Sequence, residues 1–138
     1  MMDVLIEQLK RHEGFRSKPY RCSAGKLTIG YGHNLDDVGI TESQALELLR
    51  QDAANARTEL LNHLKWAYLL DDVRLNVLVN MAFNLGIHKL LLFKKTLRAV
   101  QDYDFDKAAE EMLNSVWANQ VGRRAIELAE QMRTGEYQ

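Results

Sequence analysis

The segment EGFRSKPYRCSAGKLTIGYGH, residues 13–33, decides the fold of this chain. It holds the only proline, Pro19, and a concentration of glycines that is typical of tight turns. Residues 20–22 and 27–29 are short runs of strand-forming side chains on either side of the turn sequence Ser-Ala-Gly-Lys. We therefore predict a small β-hairpin here.

A helix is predicted on the N-terminal side of this segment, over residues 3–12. Asp3 is a candidate N-cap, residues 5, 6 and 9 form an apolar stripe, and Gly14 is a helix stop. Glu13 would then stand at the C-terminal end of the helix. The negative end of the helix macrodipole favours the protonated form of a carboxyl group at that position.

On the C-terminal side the pattern becomes helical. Thr41 and Gln44 fit a capping box, and apolar residues follow at helical spacing as far as Leu64, which predicts a long helix. Residues 72–85 are apolar on nearly every side, which indicates a buried core helix ending at Gly86. Three shorter helices are predicted at about 90–101, 105–114 and 122–133.

These elements predict an α+β, mainly helical fold in a single domain, residues 1–138. A small N-terminal β-hairpin lobe, about residues 15–40, would be joined by the long helix to a larger helical lobe, about residues 65–138. Helix 3–12 is expected to pack on the helical lobe. A cleft between the lobes would be suited to binding a polymer.

Composition excludes several classes of protein. The net charge of −1 gives no cationic field, so nucleic acid is not an expected partner. The single cysteine, Cys22, forms no internal disulfide. No metal-ligand spacing or phosphate-binding glycine loop is present, so no metal or cofactor is expected. Apolar runs are too short for a signal peptide or a membrane span, which predicts synthesis in a cytoplasm and no membrane insertion.

Hydrolysis of a glycosidic bond needs a proton donor for the leaving oxygen and a nucleophile or activated water, usually supplied by two carboxyl groups. A lone glutamate beside a glycine is usually only a solvated helix end. Here Glu13 is followed after eight residues by Cys22, and after five more by Thr28 in the run Thr-Ile-Gly-Tyr-Gly-His. This block resembles the active-site segment of the phage-type lysozymes, the endolysins of glycoside hydrolase family 24.

The resemblance continues through the chain in the same order. The sequence Asn-Met-Ala-Phe-Asn-Leu-Gly at 80–86 resembles the family's buried helix and cleft floor. Residues 117–125 resemble its Trp-x-Asn-Gln…Arg-Ala segment, and residues 133–136 its Arg-x-Gly-Glu terminus. The resemblance implies a lysozyme that cleaves the β-1,4 bond between N-acetylmuramic acid and N-acetylglucosamine in peptidoglycan.

By this resemblance Glu13 is the general acid and Thr28 helps to position the attacking water. Cys22 stands where many members of the family carry aspartate. Arg21 or Lys26 is a candidate cation to hold it as a thiolate. Three roles stay open for Cys22: stabilising a developing oxocarbenium ion, orienting a water, or forming a covalent adduct. The family's inverting outcome favours the water.

The resemblance also assigns supporting residues. Arg124 would face the catalytic glutamate and orient it. Independently of the resemblance, partial burial of the same carboxyl group against Tyr20 or Ile29 would favour its protonated form. His33 and Asp52 would form a structural ion pair between the end of the β-lobe and the long helix.

Substrate contacts are predicted at three positions. Phe83 corresponds to an aromatic side chain at the cleft floor, on which sugar rings would stack. Asn34, Thr96 and Glu111 fall near positions at which members of the family bind substrate.

Two alternatives stay open, and only the second belongs to another class of function. A lytic transglycosylase also uses one glutamate but needs no activated water. A catalytically inactive lysozyme-like module would serve in cell-wall binding or in a virion. The leading interpretation implies a monomer that is released to the periplasm by a separate holin-type protein.

Overall fold

A computed structural model describes residues 1–138. It confirms the predicted α+β fold, in which a small N-terminal antiparallel sheet precedes a larger helical part. The chain divides into two compact units, residues 1–48 and 49–138. The packing of helix 3–12 on the helical lobe stays a prediction. No helix is long and apolar enough to cross a membrane.

The first helix, α1, is Met2–Glu13. It ends at Gly14, whose φ of 69° breaks the helix and whose N–H donates to the Lys10 carbonyl at 2.9 Å. The predicted cap at Asp3 is wrong, because the N-cap is Met1 with no side-chain hydrogen bond. Asp3 instead lies in the first turn, where its charge still complements the macrodipole.

Three antiparallel strands follow in spatial order: β1 (Arg16–Arg21), β2 (Leu27–Gly30) and β3 (His33–Asn34). The predicted hairpin is thus confirmed, and the short third strand is an addition. The β1–β2 register is irregular between Arg16 and Tyr20. Pro19 lies in this stretch, and because it has no N–H to give to a ladder, it fits such an irregularity.

The long helix α2, Glu42–His63, begins at the predicted capping box. The Thr41 N–H donates to Gln44 Oε1 at 2.9 Å, and the Gln44 N–H donates to Thr41 Oγ1 at 3.1 Å. The two side chains therefore satisfy each other's backbone donors. The helix starts in the first unit and continues into the second.

The second unit is helical throughout. After a 3₁₀ helix at Lys65–Leu69 come α3 (Asp72–Leu85), α4 (Ile87–Leu90), α5 (Lys94–Gln101), α6 (Phe105–Leu113), α7 (Val116–Val121) and α8 (Arg123–Thr134). The bounds of α3 are as predicted, whereas α4 and α7 are additions. The apolar core includes fully buried side chains on most of these helices: Leu60, Val77, Leu78, Met81, Leu90, Val100, Met112 and Met132.

Arg74 ties α3 to the end of α8. Its Nε donates to the Met132 carbonyl at 2.7 Å, and its Nη2 donates to the Arg133 carbonyl at 3.0 Å. These carbonyls belong to the last turn of α8, which lacks intrahelical donors. A Cβ atom at Gly135 would lie 2.9 Å from Nη1, so the terminal glycine makes room for the guanidinium.

Candidate active site

Glu13 is the last residue of α1, and its side chain is exposed. Its carboxyl group lies against the turn between β2 and β3. A Cβ atom built on Gly32 in that turn would be only 2.7 Å from Glu13 Oε2. The end of the helix therefore presents its carboxyl group directly against a glycine of this turn.

Cys22 opens the turn between β1 and β2. Its N–H donates to the Lys26 carbonyl at 2.9 Å, and the Gly25 N–H donates to the Cys22 carbonyl at 2.8 Å. Hydrogen bonds from the backbone N–H groups of Lys26 and then of Ala24 lower the pKa of the Cys22 thiol. Partial burial opposes this effect. The turn is thus a nest of donors that favours an anion at position 22.

The expected cations are not the cause of this lowered pKa. Arg21 Nη1 lies 3.5 Å from Asp36 Oδ2 and donates to the Gly25 carbonyl at 3.2 Å. Lys26 Nζ pairs with Asp37 Oδ1 at 3.1 Å. Arg21 and Lys26 were expected to stabilise a thiolate at Cys22. Instead, both cations form ion pairs with aspartates, and backbone N–H groups lower the pKa of the thiol.

Thr28 is the one buried residue of the first unit, at 3% exposure. Its Oγ1 donates to the Lys26 carbonyl at 2.8 Å, which closes the turn that carries Cys22. Tyr20 pairs with Thr28 in the ladder and lies half-buried beneath the Arg16 guanidinium, 4.3 Å from the ring centre. Glu13, Cys22 and Thr28 are thus all held by the first unit.

Two predicted residues have mainly structural partners. His33 Nε2 lies 2.5 Å from the Gly39 carbonyl oxygen. Asn34 uses both polar atoms on Asp37, donating to Oδ2 at 3.1 Å and accepting from its N–H at 2.9 Å. Asp52 lines a cavity of 250 Å³ in the second unit, and its pairing with His33 stays a prediction.

Arg124 and Phe83 belong to the second unit. Arg124 donates to Asn80 Oδ1 through Nε at 3.0 Å and Nη2 at 2.7 Å, so its guanidinium is fixed in orientation. Phe83 is 43% exposed, and both residues line a cavity of 300 Å³. The orientation of Arg124 toward Glu13 stays a prediction.

A larger cavity of 710 Å³ contains Thr96 and Glu111, together with buried Trp117. Three lysines also line this cavity: Lys89, Lys94 and Lys95. Trp117 Nε1 donates to Asn84 Oδ1 at 2.9 Å, which joins two of the motif segments. Helical spacing alone gives no sign that these lysines share a cavity with Thr96.

A carboxyl group at a helix end, set against a small glycine-rich sheet, offers the proton donor that a glycoside hydrolase needs. The sequence profile of the family described as "Phage lysozyme" matches residues 10–134. This chain belongs to the phage lysozyme family. It is a lysozyme-type cell-wall hydrolase, a glycosidase whose substrate is peptidoglycan.

Individual relatives come from different sources. "Probable T4-type lysozyme 1" of Dictyostelium discoideum is 26% identical, over 98% of this chain and 96% of that protein. "Endolysin" of Acyrthosiphon pisum secondary endosymbiont phage 1 is 32% identical, over 84% and 80%. The pre-baseplate central spike protein of Enterobacteria phage T4 is 28% identical, over 95% of this chain but only 28% of its own length.

Proposed function

We propose that this chain hydrolyses the β-1,4 bond between N-acetylmuramic acid and N-acetylglucosamine, with Glu13 as general acid. One observation carries the proposal: β2 and its two turns contact every group that the reaction requires. The turn after β2 meets the Glu13 carboxyl at Gly32, and the turn before β2 holds Cys22 beside Thr28.

In the proposed reaction Glu13 gives its proton to the leaving glycosidic oxygen. A water attacks the anomeric carbon from the opposite face, which inverts its configuration, and passes its proton to the Cys22 thiolate. Because Thr28 donates its own proton to the Lys26 carbonyl, its oxygen keeps lone pairs to accept a hydrogen bond from this water. The acid and the thiolate are reset by exchange with solvent.

The proposed reaction needs a water between the Glu13 carboxyl group and the Cys22 thiolate. Gly32, which lies next to the carboxyl group, follows four positions after Thr28, whose hydroxyl closes the turn that carries Cys22. Inverting glycosidases keep their two catalytic groups about 6.5–9.5 Å apart, so that a water fits between them.

We assign substrate contacts to the second unit. The partly exposed Phe83 ring is available for stacking on a sugar, and Thr96 contributes a hydroxyl group to the 710 Å³ cavity. Arg124, held by Asn80, is proposed to orient the catalytic carboxyl group. Asn34 stays a weaker assignment because both of its polar atoms are used on Asp37.

The biological setting is also a proposal. Since one relative is named an endolysin, we propose that the protein acts as a monomer on the cell wall. In that setting a separate holin-type protein permeabilises the membrane and gives the enzyme, made in the host cytoplasm, access to the periplasm.

Product analysis tests the reaction. Purified peptidoglycan is digested in water enriched in ¹⁸O, and the fragments are separated by mass spectrometry. The proposal predicts reducing-end N-acetylmuramic acid carrying one ¹⁸O atom, released first as the α anomer. A 1,6-anhydro end would assign a lytic transglycosylase instead, and the absence of fragments would assign an inactive module.

A further inference from the structure

Two glycines flank Tyr31 and have nearly the same φ angle. The φ angle is 69° at Gly30 and 71° at Gly32. Both values lie in the left-handed region, in which side chains with a Cβ atom are disfavoured. Turn geometry therefore accounts equally for a glycine at either position.

The surroundings of the two glycines differ. A Cβ atom on Gly30 would meet nothing within 4 Å. A Cβ atom on Gly32 would lie 2.7 Å from Glu13 Oε2 and 3.0 Å from Cδ. Backbone conformation explains the first glycine completely, whereas the second also occupies the space next to a carboxyl group.

A carbon atom at 2.7 Å from a carboxylate oxygen is too close to persist. Glu13 is exposed, and its carboxyl group is the far end of a flexible side chain. The carboxyl group is therefore the part that would move. An added methyl group would consequently displace the carboxyl group while leaving the fold in place.

We propose that Gly32 is a positioning residue: the absence of a side chain at position 32 sets the place of the Glu13 carboxyl group. This inference rests on the proposed role of Glu13 as the general acid. A general acid acts only within hydrogen-bond reach of the leaving oxygen. A misplacement of about 1 Å is enough to cost about 100-fold in rate.

Gly30→Ala and Gly32→Ala form a matched pair for the test. Both add a methyl group at the same φ, so both should lower Tm by the same amount. On purified peptidoglycan we expect kcat of Gly32→Ala to be about 100-fold below that of Gly30→Ala, with KM unchanged. The ¹³C resonance of the Glu13 carboxyl carbon, assigned with Glu13→Gln, should move only in Gly32→Ala.

Equal kcat values for the two alanine variants, or equal carboxyl resonances, would overturn the inference. If either alanine variant fails to fold, Gly32→Asn and Gly30→Asn replace the pair, because asparagine adopts positive φ more readily. Full activity in Glu13→Gln would instead overturn the proposed function. The carboxyl resonance would then still test the contact between Gly32 and Glu13.

Discussion

The turn-and-sheet segment, residues 14–41, and the helical unit, residues 49–138, are ordered by different forces. In the segment only Thr28 is buried, and its turns are closed by backbone and polar hydrogen bonds. The helical unit surrounds an apolar core and is tied together by Arg74. Cys22 and Thr28 lie in the polar segment and Glu13 directly precedes it. Proposed chemistry and apolar burial therefore occupy different parts of the chain.

The largest expected effect falls on the core. Leu78 is fully buried, so Leu78→Ala should lower the free energy of unfolding by about 2–5 kcal/mol. Urea denaturation measures it. Leu69→Ala is the matched control, because Leu69 is 75% exposed and its loss should cost less than about 0.5 kcal/mol. Lower activity per folded molecule in Leu78→Ala would contradict the claim that the proposed catalytic residues act independently of the apolar core.

Arg74→Ala should have the next largest effect. Its side chain is 18% exposed, and its guanidinium donates to the carbonyls of Met132 and Arg133. Losing these charged hydrogen bonds should cost about 2 kcal/mol in the same denaturation experiment. The control is Arg98→Ala, since Arg98 is 78% exposed and pairs with Asp102, an arrangement worth about 0–1 kcal/mol. Equal losses of unfolding free energy in the two variants would show that Arg74 does not stabilise the contact between α3 and α8.

A smaller effect, on rate, is expected at Cys22. The backbone N–H groups of its turn donate hydrogen bonds to an anion at position 22, so Cys22→Asp should keep activity. Cys22→Ala removes the anion and should lose about 10-fold or more in kcat. Cys22→Ser tests whether a neutral hydroxyl is sufficient. Full activity of Cys22→Ala would remove any chemical role for the thiol.

The smallest effect is a shift with pH. Because the pKa of Cys22 is lowered in the folded protein, alkylation by iodoacetamide should reach half its maximal rate below the usual thiol value of about 8.5. The chain unfolded in guanidinium is the control. The lowered pKa also adds to the free energy of unfolding. This contribution is complete above the pKa of Cys22 in the unfolded chain and is lost as pH falls through its pKa in the folded protein. Identical profiles in both states would contradict the donor nest.

Much of the fold was predictable because its signals are local. Thr41 and Gln44 cap α2 as their spacing indicates, and the apolar run of α3 gives its bounds. The short helices α4 and α7 span less than two turns, which is too short for a periodic pattern. The two-residue strand β3 is shorter still.

The candidate site was predictable only in part. The order Glu13, Cys22, Thr28 predicted the candidate residues, and all three lie in the first unit. Sequence reasoning chose nearby cations to stabilise the thiolate, because side-chain charges can be read from a sequence and the directions of backbone N–H groups cannot. The tie from Arg74 to Met132 joins residues far apart in the chain and leaves no local pattern.

The role of Glu13 is tested most directly by Glu13→Gln, with Glu7→Gln on the same helix as the control. Release of muropeptides from purified peptidoglycan is measured alongside Tm. The account predicts that Glu13→Gln loses on the order of 1,000-fold in rate at an unchanged Tm, while Glu7→Gln keeps the wild-type rate. Release by Glu13→Gln at the wild-type rate would contradict it.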